Sequence, residues 1–117
     1  MENIVQATDV NARDVILDVR RNPGRRQIRG ALRYDPEKLL RASELALPLD
    51  HDRRIVLDAE TYRDGCALVE AMRKHGFEHV VVLDGGYLAW CHAGLPDEEA
   101  TQEQPVPGEE GAGIHLI

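Results

Sequence analysis

Arg54-Ile55-Val56-Leu57-Asp58-Ala59-Glu60-Thr61-Tyr62-Arg63-Asp64-Gly65 is the stretch from which the fold can be read. Ile55-Val56-Leu57 has the length and β-branched character of a strand buried on both faces, and a polar loop then runs into a helical pattern from Cys66 to His75. Strand, loop and helix in that order predict one unit of an open parallel sheet. In such sheets ligands and anions bind where the loop leaves the carboxyl end of a strand, against the N–H groups of the next helix's first turn. The loop 58–65 is therefore the candidate site. At the strand's end, where a nucleophile is expected, it offers Asp58, Ala59 and Glu60, with no Cys, Ser or His.

Outward from this unit the same pattern repeats. Asp14-Val15-Ile16-Leu17-Asp18-Val19-Arg20 is a nearly continuous aliphatic run, the mark of a central parallel strand. Glu78-His79-Val80-Val81-Val82-Leu83 predicts a third buried strand, and after Asp84-Gly85-Gly86 the segment Tyr87 to His92 reads as a short helix. On the helix from Cys66, the residues Leu68, Ala71, Met72 and His75 share a face, Glu70 and Lys74 pair across one turn, and Gly76 ends it. Strand and helix alternation implies right-handed crossovers and helices on both sides of the sheet.

The remaining elements are shorter. Ile4-Val5 fits an edge strand, and Thr8 to Arg13 a helix cap with one turn. Arg20, Arg21, Arg25, Arg26, Arg29 and Arg33 crowd a segment broken by Asn22-Pro23-Gly24, which predicts a basic loop whose arginines are solvated or paired with local acids such as Asp35 and Glu37. Gly30 to Tyr34 reads as a short strand. Asp35-Pro36-Glu37 is a strong helix start, with Asp as N-cap and Pro in the first position. The helix it opens would show Leu39, Leu40, Ser43 and Ala46 or Leu47 on one face and end at Pro48.

Composition excludes several classes. With 117 residues the chain makes a single domain, and no run approaches the roughly 18 apolar residues of a membrane span. The start Met1-Glu2-Asn3-Ile4-Val5-Gln6 lacks a basic and then apolar character, so a cytoplasmic protein is expected. Cys66 and Cys91 are too few for a disulfide framework, and the five histidines show no metal-ligand spacing, so neither metal nor cofactor is expected. The net charge of −7 is concentrated in residues 97–117, which hold Asp97, Glu98, Glu99, Glu103, Glu109 and Glu110 and no Lys or Arg. No basic face is left for nucleic acid. Residues 1–96 form the expected domain; 97–117, acidic and without periodicity, an expected flexible tail, with Ile114-His115-Leu116-Ile117 a stub able to dock or extend an edge.

Taken together, residues 1–96 resemble the rhodanese-like domain family. The resemblance rests on Val15-Ile16-Leu17-Asp18-Val19-Arg20, on Gln27-Ile28-Arg29-Gly30-Ala31, and on His75-Gly76-Phe77 with Val80 to Trp90 and Ala93-Gly94-Leu95-Pro96. It implies an α/β three-layer fold, a parallel sheet of about five strands wrapped by helices, and a sulfurtransferase whose loop Cys carries sulfur as a persulfide. The family's loop reads Cys-Arg-x-Gly-x-Arg. Counting back from Gly76-Phe77 puts Ala59 at the Cys, Glu60 and Asp64 at the two Arg positions and Tyr62 at the Gly, and Gln27 stands where His is frequent. Asp18, Arg20, Gln27 and Gly30 are the other family-motif positions.

These departures lead to the expectation of an inactive homologue acting as a binding or regulatory module for a protein partner, with its oligomeric state left open. Glu60 and Asp64 are expected to repel anions from the loop. The alternative is a sulfur carrier that uses Cys66 or Cys91 as a non-standard thiol.

Overall fold

The computed structural model describes residues 3–42 and 44–107. Five parallel strands make the main sheet: β1 (Ile4–Val5), β2 (Val15–Val19), β4 (Leu32–Arg33), β5 (Ile55–Ala59) and β6 (Val80–Leu83), in the spatial order β1-β6-β5-β2-β4. Three of these are the aliphatic runs of the sequence, and they occupy the middle. Residues in successive positions face opposite sides of the sheet. On one side Leu17, Val19, Ile55, Leu57, Ala59, Val80 and Val82 pack with α1 (Pro36–Arg41) and α2 (Tyr62–Lys74); on the other Ile16, Val56 and Leu83 pack with Trp90 of α3 (Gly86–His92). The expected three layers are present.

Several boundaries differ from the sequence reading. α2 starts at Tyr62, four residues before Cys66, because Thr61 caps it: its Oγ1 accepts the Asp64 N–H at 3.1 Å. Tyr62, Arg63, Asp64 and Gly65 are thus the first turn of a helix, not loop. Gly65 is buried there because a Cβ would stand 2.7 Å from the Val82 methyls, so only glycine lets α2 lie this close to β6. α1 has its Asp35 cap and Pro36 but stops at Arg41; Ser43 lies outside the described residues. In place of the turn expected from Thr8, one 3-10 turn covers Ala7–Asp9.

The largest correction concerns the chain beyond Pro96. β7 (Asp97–Glu99) pairs antiparallel with β3 (Arg26–Ile28), a strand inside the segment read as a basic loop. Gln104 N–H then bonds the Arg33 carbonyl at 2.7 Å, extending the sheet past β4, and Val106 is buried in the core beside α1. A domain boundary at residue 96 with unstructured chain after it does not hold over 97–107; residues 108–117, and the stub expected from Ile114, lie outside the described residues. Composition misled because the attachment is made of single long-range pairs, Arg26 with Asp97, Lys38 with Glu103 and Gln27 with Glu98, which leave no periodic trace.

Candidate functional site

The carboxyl ends of β5 and β6 open on a small cleft of about 130 Å³ lined by Ala59, Glu60, Thr61, Tyr62, Val82, Leu83, Asp84, Gly85 and Gly86. Of the loop 58–65 in which the site was expected, Ala59, Glu60, Thr61 and Tyr62 line this cleft and Asp58, Arg63, Asp64 and Gly65 do not. Ala59 closes β5 on the α2 side and is 8% exposed. Among the described residues, none that lines this cleft is Cys, Ser or His. Cys66 lies in the second turn of α2, in a different groove with Asn3, Glu70, Arg73 and Lys74. Cys91 lies toward the far end of α3, in hydrogen-bond reach of Tyr87. The two thiols are not brought to the cleft.

The acids of the loop have partners that the sequence did not reveal. Arg21 donates to Asp64 Oδ2 at 2.9 Å and also pairs with Glu37, and Glu60 Oε1 accepts the Asn22 N–H at 3.0 Å. Hydrogen bonds to Asp64 and Glu37 raise the Arg21 guanidinium above its ordinary value. The expected repulsion of anions by Glu60 and Asp64 is therefore weaker than the formal charges imply: Asp64 is offset by Arg21. In the arginine-rich segment Arg21 holds the expected Glu37 as well as Asp64, Arg20 holds Asp18 and Arg26 the distant Asp97, while Arg21, Arg25, Arg26 and Arg29 stay exposed.

Below the cleft, on the α3 side of the sheet, lie two carboxylates. Strand alternation puts Asp18 between Leu17 and Val19, and Asp58 between Leu57 and Ala59, so both face α3, directly opposite one another in adjacent strands and with no exposed surface. Arg20 donates from Nε to Asp18 Oδ1 at 3.0 Å and from Nη2 to Asp18 Oδ2 at 2.8 Å, and Nη2 also reaches the Arg26 carbonyl at 2.8 Å. Its guanidinium sits 4.8 Å from the centre of the Tyr87 ring. Asp58 receives the Tyr87 N–H on Oδ1 at 3.0 Å, but Oδ2 has no hydrogen-bond partner among the described residues and is 3.6 Å from Arg20 Nε. Burial first, and the charge of Asp18 second, push the Asp58 carboxyl up to about 7. Gly86 makes this seat possible, as a Cβ there would stand 2.9 Å from Asp58 Oδ1.

Gln27 and Gly30 act together elsewhere. Gln27 is fully buried, donating to the Ala31 carbonyl and to Glu98 Oε2, both at 2.9 Å, while its Oε1 accepts the Thr101 N–H at 3.0 Å; Gly30 N–H also bonds Glu98 Oε2. They fasten the segment after Pro96 and take no part in the cleft.

The Rhodanese-like domain family model matches residues 3–93. The chain is a rhodanese-like domain. Solved structures with this fold include the rhodanese-like domain of the Alr3790 protein from Anabaena sp., 31% identical over 86% of this chain and 81% of that one, with a TM-score of 0.68. The thiosulfate sulfurtransferase from Pseudomonas aeruginosa is 26% identical with a TM-score of 0.67; the match covers 86% of this chain but 20% of that longer one. The 3-mercaptopyruvate sulfotransferase SseA from Escherichia coli shares the fold at 22% identity and a TM-score of 0.65 over 91% of this chain and 53% of that one. No curated protein matches the chain. No helix of this rhodanese-like domain is long and apolar enough, among the described residues, to cross a membrane.

Proposed function

We propose that this rhodanese-like domain does not transfer sulfur and instead serves as a binding or regulatory module for a protein partner in the cytoplasm. The observation that carries this reading is Ala59 at the carboxyl end of β5, where the cleft needs a thiol and the methyl group can neither attack nor hold a sulfane sulfur. Glu60 and Asp84 in the lining support it, because they place anionic groups where a thiosulfate or persulfide anion would have to sit. Partner binding remains open to the domain because the scaffold is intact.

A sulfur carrier using Cys66 is the competing reading, favoured by that thiol's partial exposure in a groove of about 560 Å³ with Arg73 and Lys74 nearby. Incubation of the full chain with thiosulfate, followed by mass spectrometry of the intact protein and its peptides, separates the two. No gain of a sulfur atom on Cys66 or Cys91, and no thiocyanate formed from cyanide above a denatured control, is the expected result. A stable persulfide on either cysteine overturns the non-catalytic reading.

A further inference from the structure

Asp18 and Asp58 stand side by side on adjacent strands, fully buried, with one guanidinium between them. Arg20 gives Asp18 a bidentate pair, so the one guanidinium is committed to Asp18 and not to Asp58. Asp58 is left with the Tyr87 N–H and an oxygen that has no hydrogen-bond partner among the described residues. Two buried anions sharing one cation are unfavourable, whereas a carboxylic acid in the same place carries no charge to desolvate.

We propose that Asp18 and Asp58 form a site that binds one proton, held on Asp58 while Arg20 is engaged with Asp18 and β3, and that loss of this proton loosens the attachment of β7 to β3. The proton leaves to water and the negative charge stays on Asp58. The nearest cation is Arg20, whose Nε must move in from 3.6 Å to bond Oδ2. That movement competes with its bonds to Asp18 and with the bond from Nη2 to the carbonyl of Arg26, the residue of β3 that pairs with Glu99 of β7. Tyr87 links the same two places, its N–H on Asp58 and its hydroxyl on Asp97 Oδ2 at 2.6 Å. Among the described residues the charged and titratable groups around Asp58 are Asp18 of β2, Arg20 just after that strand, Glu60 just after β5, and Tyr87 from α3; Arg26, Asp97 and Cys91 lie one contact further out through Arg20 or Tyr87. Burial, Asp18 and Glu60 favour the acid, Arg20 and the Tyr87 N–H favour the carboxylate, and the balance near 7 agrees with the geometry. The site is independent of whether the domain transfers sulfur.

NMR on the full chain tests this, following the Asp58 carboxyl carbon and the amide exchange of Arg26–Ile28 and Asp97–Glu99 from pH 5 to 8, corrected for the intrinsic rate. Asp58 is expected to bind its proton about 1,000-fold more tightly than a free aspartate, and protection of the β3 and β7 amides should fall as that proton is lost. In Asp58→Asn the protection should stay high throughout, while Glu60→Gln should leave the transition in place. An Asp58 that titrates in the ordinary carboxylate range overturns the proton site. Titration near neutrality with unchanged β3 and β7 protection overturns the coupling, as does the same pH response in Asp58→Asn. If Asp58→Asn does not fold, the native chain's two titration curves decide alone.

Discussion

Asp58 and Asp97 both hydrogen-bond Tyr87, one to its N–H and the other to its hydroxyl, and their environments drive them apart. Asp97 has a bidentate contact with Arg26 in addition to the Tyr87 hydroxyl, and these hold its carboxyl down at about 2. Asp58 has one N–H donor, a carboxylate neighbour and no solvent, and is pushed up to about 7. The two look alike in the sequence, each an Asp beside a Glu or an Ala. What separates them is the number of donors each receives and whether water can supply the rest.

Removal of the cation tests this difference between the two carboxyls most severely. Arg20→Met leaves Asp18 with a buried, unpaired charge beside Asp58, and losing one partner of such a pair costs about 3–5 kcal/mol. A urea-unfolding midpoint that hardly moves would show that water enters the layer between β2 and α3. Asp18→Asn in the same background should recover much of the loss, since no anion then remains without a partner.

Next in size is the pH dependence carried by Asp58. In the unfolded chain the group loses its proton near 3.8, in the folded protein near 7. Between these values the native state holds the proton that the unfolded state has lost, so stability falls as pH rises from about 4 to 7 and levels off above. At about 1.4 kcal/mol per pKa unit the span is at most about 4 kcal/mol. Asp58→Asn should flatten this slope and be more stable than the native chain at pH 8 by part of that amount. Asp97 has the opposite sign: its lowered carboxyl contributes stability above about 4 that is lost as pH falls toward 2. Asp97→Asn should therefore remove one step of acid unfolding and leave the midpoint at neutral pH little changed, because the group is partly exposed.

The comparison also marks where the sequence stopped being readable. β2, β5 and β6 announced themselves as runs of Val, Ile and Leu because both faces of a central parallel strand are buried, and Asp35-Pro36 announced a helix by cap chemistry. Period-two alternation could have placed Asp18 and Asp58 on one face from the sequence alone; their opposition also needed the strand order and register. The early start of α2 was legible in Thr61 with Asp64 three residues on, a capping pattern outweighed by the polar look of the loop. β3 and β7 were not legible, since Arg26-Gln27-Ile28 and Asp97-Glu98-Glu99 become strands only by pairing with each other across most of the chain. Local propensity holds no record of such a partner.

The smallest expected effect belongs to Ala59→Cys, the direct attempt to give the cleft a nucleophile. Ala59 packs in the core yet also lines the cleft, so an added sulfur atom can turn toward the cleft. A free thiol loses its proton near about 8.5, and a useful sulfur carrier needs thiolate at neutral pH. The start of α2 favours the thiolate by roughly 0.3–1 kcal/mol, less than one pKa unit. Burial against Val82 and the carboxylates of Glu60 and Asp84 oppose it, while Asp64 contributes little because Arg21 already offsets it. Single-site Ala59→Cys should therefore stay mostly protonated and transfer little sulfur, and iodoacetamide alkylation in a background of Cys66→Ser and Cys91→Ser should rise only above about pH 8.5. Adding Glu60→Arg and Tyr62→Gly, with Asp64 kept for its bond to Arg21, should bring the alkylation profile toward neutrality and yield measurable transfer. A single mutant that already titrates near pH 7 would mean that the dipole and N–H groups outweigh Glu60 and Asp84, and that the acidic lining does not keep a thiol at this position protonated.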